Sequence, residues 1–223
     1  MGERKFECRG FVLCGGRSRR MNLTGDEARE AASDKALLPF GDRPLVVHMA
    51  ERVKSVCGNA TLVGPRDRYA HLGLSVVEDI YPEAGPLGGL HAALSKSGGW
   101  WSMVAACDMP NLTCEFLQLL AGIARNSSAD AVVPAARRSG FEPLCGLYSA
   151  ACLPDVEKDL RAGHYKLLRF LETLQDQGRL RLVTQEEWLP YDPQGRLFWN
   201  VNTPEEYQEA RKVVDGVSRK VRA

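Results

Sequence analysis

Phe11-Val12-Leu13-Cys14-Gly15-Gly16-Arg17-Ser18-Arg19-Arg20-Met21, taken up again after an interruption by Asp34-Lys35-Ala36-Leu37-Leu38, is the stretch from which the rest of the chain can be read. An apolar run that stops at two glycines and is followed by three arginines in four positions describes a buried strand opening into a loop that can meet phosphate. Glycine has no Cβ, so backbone N–H groups there can approach an anion closely. Arginines and Lys35 supply mobile positive charge. The spacing matches neither G-x-x-x-x-G-K-[ST] nor G-x-G-x-x-G. Alone, the stretch therefore leaves two readings open: a phosphate loop, or a tight turn followed by a solvated basic patch.

The chain of 223 residues, 44% hydrophobic, can bury a substantial core and is read as one domain. Lys and Arg number 29 against 28 Asp and Glu, leaving +1 overall. That balance supplies no global field of the kind that marks a nucleic-acid or membrane-surface binder, so charge has to act locally. No apolar run approaches the roughly 18 residues of a membrane span, and the residues before Gly10 are too polar for a signal peptide. The expectation is a soluble, cytoplasmic protein with neither nucleic acid nor membrane as partner. The seven cysteines, Cys8, Cys14, Cys57, Cys107, Cys114, Cys145 and Cys152, are scattered and never spaced C-x-x-C. They suggest no disulfide framework and no zinc or iron–sulfur site, and most are expected to be small buried hydrophobes.

Beyond the opening strand the chain alternates. A helix is expected from about Pro44 to Cys57, with Pro44 at its first position and Gly58 as its stop. Short strands follow at 60–63 and 74–77, then a helix at 87–94 and a continuous apolar strand Trp101–Ala106. Thr113 is placed to cap a helix to about Arg125, and a strand is expected at 131–133. This order argues for an α/β fold, a mainly parallel sheet with helices on both faces. In such sheets ligands bind beyond the carboxyl ends of the strands, where Gly15, Gly16, Gly64, Asp79 and Asp108 fall. The second half departs from simple alternation. A hairpin or lid loop is expected at 137–140, strands at 144–148 and Leu180–Val183, and helices at 155–160 and 167–174. A final helix opens with Thr203 as N-cap, Pro204 first and Glu206 third, and its basic tail from Arg211 is read as a solvated, frayed helix end.

Asp108 follows the Trp101–Ala106 strand and precedes Met109-Pro110, so its carboxylate should project from the sheet's carboxyl edge. Two roles stay open there: a hard oxygen ligand for Mg²⁺ on a nucleoside triphosphate, or a cap for the turn before Pro110. Asp79 invites the same choice between the ligand site and a solvated strand end. No Ser/His/Asp or Cys/His arrangement is present in the pattern. Phosphoryl or nucleotidyl transfer needs none, because positioning and charge neutralisation dominate.

The ordered motifs resemble a known family. Leu13-Cys14-Gly15-Gly16 with Arg19-Arg20-Met21, Asp34-Lys35-Ala36-Leu37-Leu38-Pro39, Gly85-Pro86-Leu87-Gly88-Gly89, Ala106-Cys107-Asp108-Met109-Pro110, Pro143-Leu144-Cys145-Gly146-Leu147-Tyr148 and Asn200-Val201-Asn202-Thr203-Pro204-Glu205 are similar, in this order, to the motif set of molybdenum cofactor guanylyltransferase. The resemblance implies a three-layer α/β/α, Rossmann-like nucleotidyltransferase fold. It also implies transfer of GMP from Mg·GTP to the terminal phosphate of the molybdopterin cofactor, with pyrophosphate released. Residues of about 10–130 would bind GTP and those of about 131–210 the pterin acceptor. Position by position, Leu13, Cys14 and Gly15 would hold guanine and ribose. Gly16 and Arg20 would border the phosphates and Lys35 neutralise them, Asp79 would contact the nucleoside, and Asp108 would bind Mg²⁺ and the α-phosphate. Asn200 and Asn202 match positions on the pterin side. Implied partners, besides the two substrates, are other molybdenum-cofactor biosynthesis proteins and molybdoenzyme clients.

Three positions depart from the family pattern: Cys14 stands for the usual Ala, Gly64 for an Asn found in some members, and residues 22–33 form a longer polar insertion, expected to move without nucleotide and to order partly as a lid when triphosphate binds. Alternatives that keep the fold are a cytidylyl- or sugar nucleotidyltransferase, which Gly15-Gly16 and the Gly85–Gly89 motif disfavour, and a non-catalytic nucleotide-binding partner, which Lys35 and Asp108 disfavour.

Overall fold

In the computed structural model, which describes residues 7–14, 34–136 and 140–221, the opening apolar run is β1 (Cys8–Leu13), an inner strand of a seven-stranded sheet. A short hairpin, β2 (Pro39–Phe40) and β3 (Arg43–Pro44), stands apart from that sheet. The remaining strands are β4 (Thr61–Val63), β5 (Ser75–Val77), β6 (Trp101–Ala106), β7 (Ala131–Pro134), β8 (Cys145–Tyr148) and β9 (Leu180–Val183), and the sheet order is β5-β4-β1-β6-β8-β7-β9. All pairings are parallel except those of β8, which runs against both β6 and β7. The helices are α1 (Leu45–Cys57), α2 (Arg66–Tyr69), α3 (Pro86–Lys96), α4 (Cys114–Arg125), α5 (Leu153–Arg161), α6 (Leu167–Asp176), α7 (Gln185–Trp188) and α8 (Pro204–Val221).

Period-two alternation along the strands divides the core into two layers. Val12, Leu62, Met103, Ala105, Val132 and Leu147 face α1 and α4, meeting Met49, Val53, Phe116 and Leu120. Their neighbours Phe11, Val63, Val104, Ala131, Val133 and Tyr148 face the other way, onto Leu87 and Leu90 of α3, Val156 of α5 and Phe170 and Leu174 of α6. Each fully buried side chain of this size contributes about 1.5–3 kcal/mol, so both faces of β1 demand apolar residues. That is why its sequence reads as a continuous run rather than a clean alternation.

Most expected boundaries hold, with small shifts. Pro44 is the N-cap of α1 rather than its first residue, its ψ of 148° keeping it extended. Gly58 ends that helix at φ 74°. Thr113 accepts the Phe116 N–H at 3.2 Å. Thr203 and Glu206 cap α8 reciprocally, at 3.2 and 3.0 Å. The backbone of α8 stays helical to Val221, past the point where fraying is expected. Three of the cysteines are buried and four are partly exposed, so the expectation that most are buried does not hold.

Two long-range features position the site. Because β8 runs in reverse, its start lies beside the end of β6, where Leu144 O accepts the Ala106 N–H at 2.8 Å. The expected lid at 137–140 connects β7 to β8, and its residues 137–139 lie outside the described residues. Secondly, α8 folds back over the β2–β3 hairpin, with Tyr207, Ala210 and Val201 packing on Leu38, Phe40 and Leu45 and the Tyr207 hydroxyl donating to Pro39 O.

Candidate active site

Four strand ends open into one cleft of about 450 Å³. β1 contributes Leu13 and Cys14, β4 Val63 and Gly64, β5 Glu78 and Asp79, and β6 Cys107 and Asp108, with Asp34 and Lys35 along one wall. Three of the strands, β1, β4 and β6, continue their pairing one residue past the end: Cys14 N–H donates to Val63 O at 2.9 Å, Gly64 N–H to Val77 O at 3.0 Å and Cys107 N–H to Leu13 O at 3.1 Å. The Cys14 N–H is thereby committed to the sheet.

Lys35 and Asp108 meet in this cleft. The Lys35 ammonium lies 3.3 Å from Asp108 Oδ2, with the side chains 18% and 23% exposed. It also donates to Val201 O at 3.0 Å and Asn202 Oδ1 at 2.8 Å. One cation therefore joins the β6 end to the segment before α8, and Val201 N–H returns a bond to Asp108 O at 2.9 Å. Glu206, while capping α8, accepts the Asn202 N–H at 2.7 Å and so fixes that segment from the other side.

What holds Lys35 in place was not singled out by the sequence reading. Asp34, 4% exposed, caps the 3-10 turn Lys35–Leu37 by accepting the Ala36 N–H at 3.0 Å, and its other oxygen accepts the Tyr69 hydroxyl at 2.6 Å. The Arg68 guanidinium stands 3.6 Å away. The local signal for Asp34 is the N-cap preference for Asp; nothing local links Tyr69 to it. Arg52 of α1 plays a comparable part beside Asp108, donating to the Pro110 and Leu112 carbonyls. Glu142, just before the reversed β8, has its carboxyl pushed up to about 7 by burial and then by the Asp108 charge.

Asp79 lines the cleft rather than ending a solvated strand. Its Oδ1 accepts the Tyr81 N–H at 2.7 Å, and burial raises its carboxyl above the ordinary value. The Gly85–Gly89 motif makes this possible. Gly85 adopts φ 58°, ψ −140° to start α3. A Cβ on Gly88 would lie 2.5 Å from Asp79 Oδ2, and one on Gly89 would lie 2.9 Å from Leu13 Cδ2. The departures at positions 14 and 64 turn out to touch. A Cβ on Gly64 would stand 2.7 Å from Cys14 O and 3.2 Å from Cys14 Sγ, so no larger residue fits Gly64 beside this placement of Cys14. The Cys14 thiol donates to Val63 O and is pushed up to about 12, chiefly by burial; burial likewise raises Cys107. Neither supplies a thiolate nucleophile.

The structure thus brings Leu13, Cys14, Lys35, Asp79 and Asp108 to one cleft and sets Asn202 on Lys35. Gly15, Gly16, Arg20 and the 22–33 insertion lie outside the described residues. Asn200 has a buried side-chain oxygen with no hydrogen-bond partner among the described residues. Mg²⁺ commonly takes one or two carboxylates and leaves its other positions to phosphate and water. The Asp108 carboxylate, one of four that line the cleft with Asp34, Glu78 and Asp79, is the kind of hard oxygen donor such a cation takes.

The three-layer fold is one that nucleotidyltransferases share, and the family match places the chain in that class. A solved structure titled molybdopterin-guanine dinucleotide biosynthesis protein A, from Archaeoglobus fulgidus, superposes with a TM-score of 0.75 at 23% identity, covering 93% of this chain and 99% of that one. The chain belongs to the family described as MobA-like NTP transferase domain, whose profile matches residues 10–179. It is 30% identical over 209 residues to a molybdenum cofactor guanylyltransferase of Desulfosudis oleivorans, covering 92% of this chain and 95% of the relative. It is 32% identical over 203 residues to a probable molybdenum cofactor guanylyltransferase of Carboxydothermus hydrogenoformans, covering 91% and 94%.

Proposed function

We propose that the protein transfers GMP from GTP, with Mg²⁺, to the terminal phosphate of the molybdenum cofactor, forming the guanine dinucleotide cofactor and releasing pyrophosphate. The observation that carries this reading is the 3.3 Å approach of Lys35 to Asp108 in a cleft at the strand ends, within a chain whose near-full-length relatives bear the guanylyltransferase name. Those relatives favour guanylyl transfer over the cytidylyl and sugar alternatives.

Asp108 would hold Mg²⁺, which supplies charge neutralisation at the α-phosphate. Lys35 would neutralise the leaving phosphates, trading the Asp108 and Asn202 oxygens for those of the triphosphate, with Gly16 and Arg20 bordering them. Cys14, Leu13 and Gly15 would hold the nucleoside through backbone groups, and Asp79, with Oδ2 outside its bond to Tyr81, would accept donors of guanine or ribose. Asn200 and Asn202 would orient the pterin phosphate, so residues of about 10–130 would form the nucleotide side and 131–210 the acceptor side. An oxygen of the acceptor phosphate forms the new bond to the α-phosphorus as the bond to pyrophosphate breaks. The acceptor is already an anion, so no general base is required.

The test is incubation with Mg²⁺, the molybdenum cofactor and each of the four nucleoside triphosphates, assayed for pyrophosphate and dinucleotide. GTP should be preferred over ATP by at least about tenfold in kcat/KM, because a pocket built for the N1–H and N2 donors leaves its acceptors unpaired with adenine. Comparable use of CTP or ATP would overturn the assignment. The cytoplasm is the expected location, and biosynthetic partners and molybdoenzyme clients are the expected protein contacts; among the described residues, no helix is long and apolar enough to cross a membrane.

A further inference from the structure

At the edge of the sheet opposite the cleft, β1 begins with a cysteine and α1 ends with one. Gly10 brings them together. A Cβ at Gly10 would lie 2.3 Å from Val53 Cγ1, 2.6 Å from Asn59 O and 3.5 Å from Cys57 Cβ, so the end of α1 rests directly on bare strand backbone. Asn59 Oδ1 accepts the Gly10 N–H at 3.1 Å and pins the turn after the helix. Cys8, two residues before Gly10, projects to the same face of the strand.

The two sulfurs are 3.3 Å apart, and Met103 Sδ lies 3.6 Å from Cys57 Sγ. Both cysteines are partly exposed and line a surface concavity with Glu7, Trp100 and Arg125. No group of three or more His, Cys, Asp or Glu able to hold a metal occurs among the described residues. The thiols differ in character. Cys57 is the last residue of α1, where the negative end of the helix dipole disfavours a thiolate, and the hydrogen bond that the two sulfurs share holds Cys8 below the ordinary thiol range and raises Cys57. Cys14, Cys107, Cys145 and Cys152 are instead pushed up by burial.

We propose that Cys8 and Cys57 form a reversible dithiol–disulfide site that reacts with small organic disulfides, Cys8 attacking and Cys57 resolving. In the first step the Cys8 sulfur bonds to one sulfur of the small disulfide, whose S–S bond breaks to release one thiolate. In the second, Cys57 gives up its proton and its sulfur attacks that of Cys8, expelling the second thiolate. The cysteine pair is oxidised by two electrons, the small disulfide is reduced to two thiols, and the protons lost by the cysteines end on those thiols. Bonding needs the sulfurs at about 2.0 Å, a short side-chain movement from their present separation. The closed link would tie β1 to the end of α1 across a 49-residue separation, restraining the unfolded chain. Under reducing conditions the site stays open.

The reduced protein, equilibrated in glutathione buffers of rising oxidised fraction, should lose two of its seven thiols and a mass of two hydrogens. Non-reducing peptide mapping should show one link, between the peptides containing Cys8 and Cys57. The Tm should rise by about 5–10 °C. Cys57→Ser should retain glutathione on Cys8, and Cys8→Ser should neither form the link nor gain Tm. Oxidation of the wild type without the Cys8–Cys57 link would overturn the proposal, as would glutathione left on wild-type Cys8 to the extent seen in Cys57→Ser. The wild-type map decides the matter even if a variant folds poorly.

Discussion

The two walls of the cleft are built differently. On one side β1, β4, β5 and β6 deliver Cys14, Gly64, Asp79 and Asp108 from strand ends, with Cys14, Gly64 and the Cys107 that precedes Asp108 held by hydrogen bonds that continue the sheet. The opposite side is assembled from the start of the reversed β8, the segment 200–202 and the cap of α8; Lys35 bonds that segment to Asp108, Val201 N–H reaches Asp108 O directly, and Leu144 O takes the Ala106 N–H. A wall made of strand ends is as rigid as the sheet, whereas the 200–202 segment is held to it by one backbone bond and by the bonds of a single ammonium, and those of the ammonium can change when it finds a better anion. The difference is in keeping with the proposal that nucleotide binds on the fixed side and the acceptor on the other.

The largest break should come from the fixed wall. Asp108→Asn keeps the size and the backbone bond to Val201 while removing the carboxylate proposed to hold Mg²⁺, and should lower turnover at least about 100-fold with Tm little changed. Initial rates and a thermal melt check it; near wild-type turnover would remove the metal role. Lys35→Ala is expected to lower kcat/KM about 10–100-fold, with both KM for GTP and kcat affected, because a charge placed against the phosphates, as proposed for Lys35, serves ground and transition states alike.

Asn202→Ala separates the walls. If it serves the acceptor, KM for the molybdenum cofactor should rise about 3–10-fold while KM for GTP stays constant, the cost of one hydrogen bond. A rise in KM for GTP alone would mean that its work is to hold Lys35. Tyr69→Phe tests the support beneath Lys35. It leaves the buried Asp34 carboxylate short of the hydroxyl at 2.6 Å, and should reduce stability by about 1–3 kcal/mol in denaturant titration. An unchanged midpoint would show that Arg68 suffices.

A further effect is a pH dependence at Glu142. Its carboxyl is raised from 4.5 to about 7, so between those values the folded chain binds more protons than the unfolded one. Stability from this group must therefore fall as pH rises through that window. Relative to Glu142→Gln, which cannot ionise, the wild type should lose Tm between pH 5 and 8 in buffer without Mg²⁺; a constant difference would contradict the burial of this carboxyl beside Asp108.

The fixed wall was the legible one. An apolar run ended by glycine or aspartate marks a strand end, and Trp101–Ala106 before Asp108 shows the pattern without any alignment. The Thr203-Pro204-Glu205-Glu206 cap was equally plain, since capping is local chemistry. The reversal of β8 was not legible, because a four-residue apolar strand carries no mark of direction, and with it went the closeness of Leu144 and Glu142 to the β6 end. The Asp34–Tyr69 bond spans 35 residues and depends on α2 packing under the cleft, while the meeting of Cys8 with Cys57 depends on what Gly10 lacks.

Affinity for GTP, measured by calorimetry with and without Mg²⁺, tests the division of labour between Asp108 and Lys35 most directly. In the wild type Mg²⁺ should tighten binding. In Asp108→Asn that gain should vanish, and metal-free GTP should bind at least as well as to wild type because a repelling carboxylate is gone. In Lys35→Ala binding should weaken in both conditions with the gain from Mg²⁺ retained. An Asp108→Asn variant that keeps the full gain from Mg²⁺ would contradict the account.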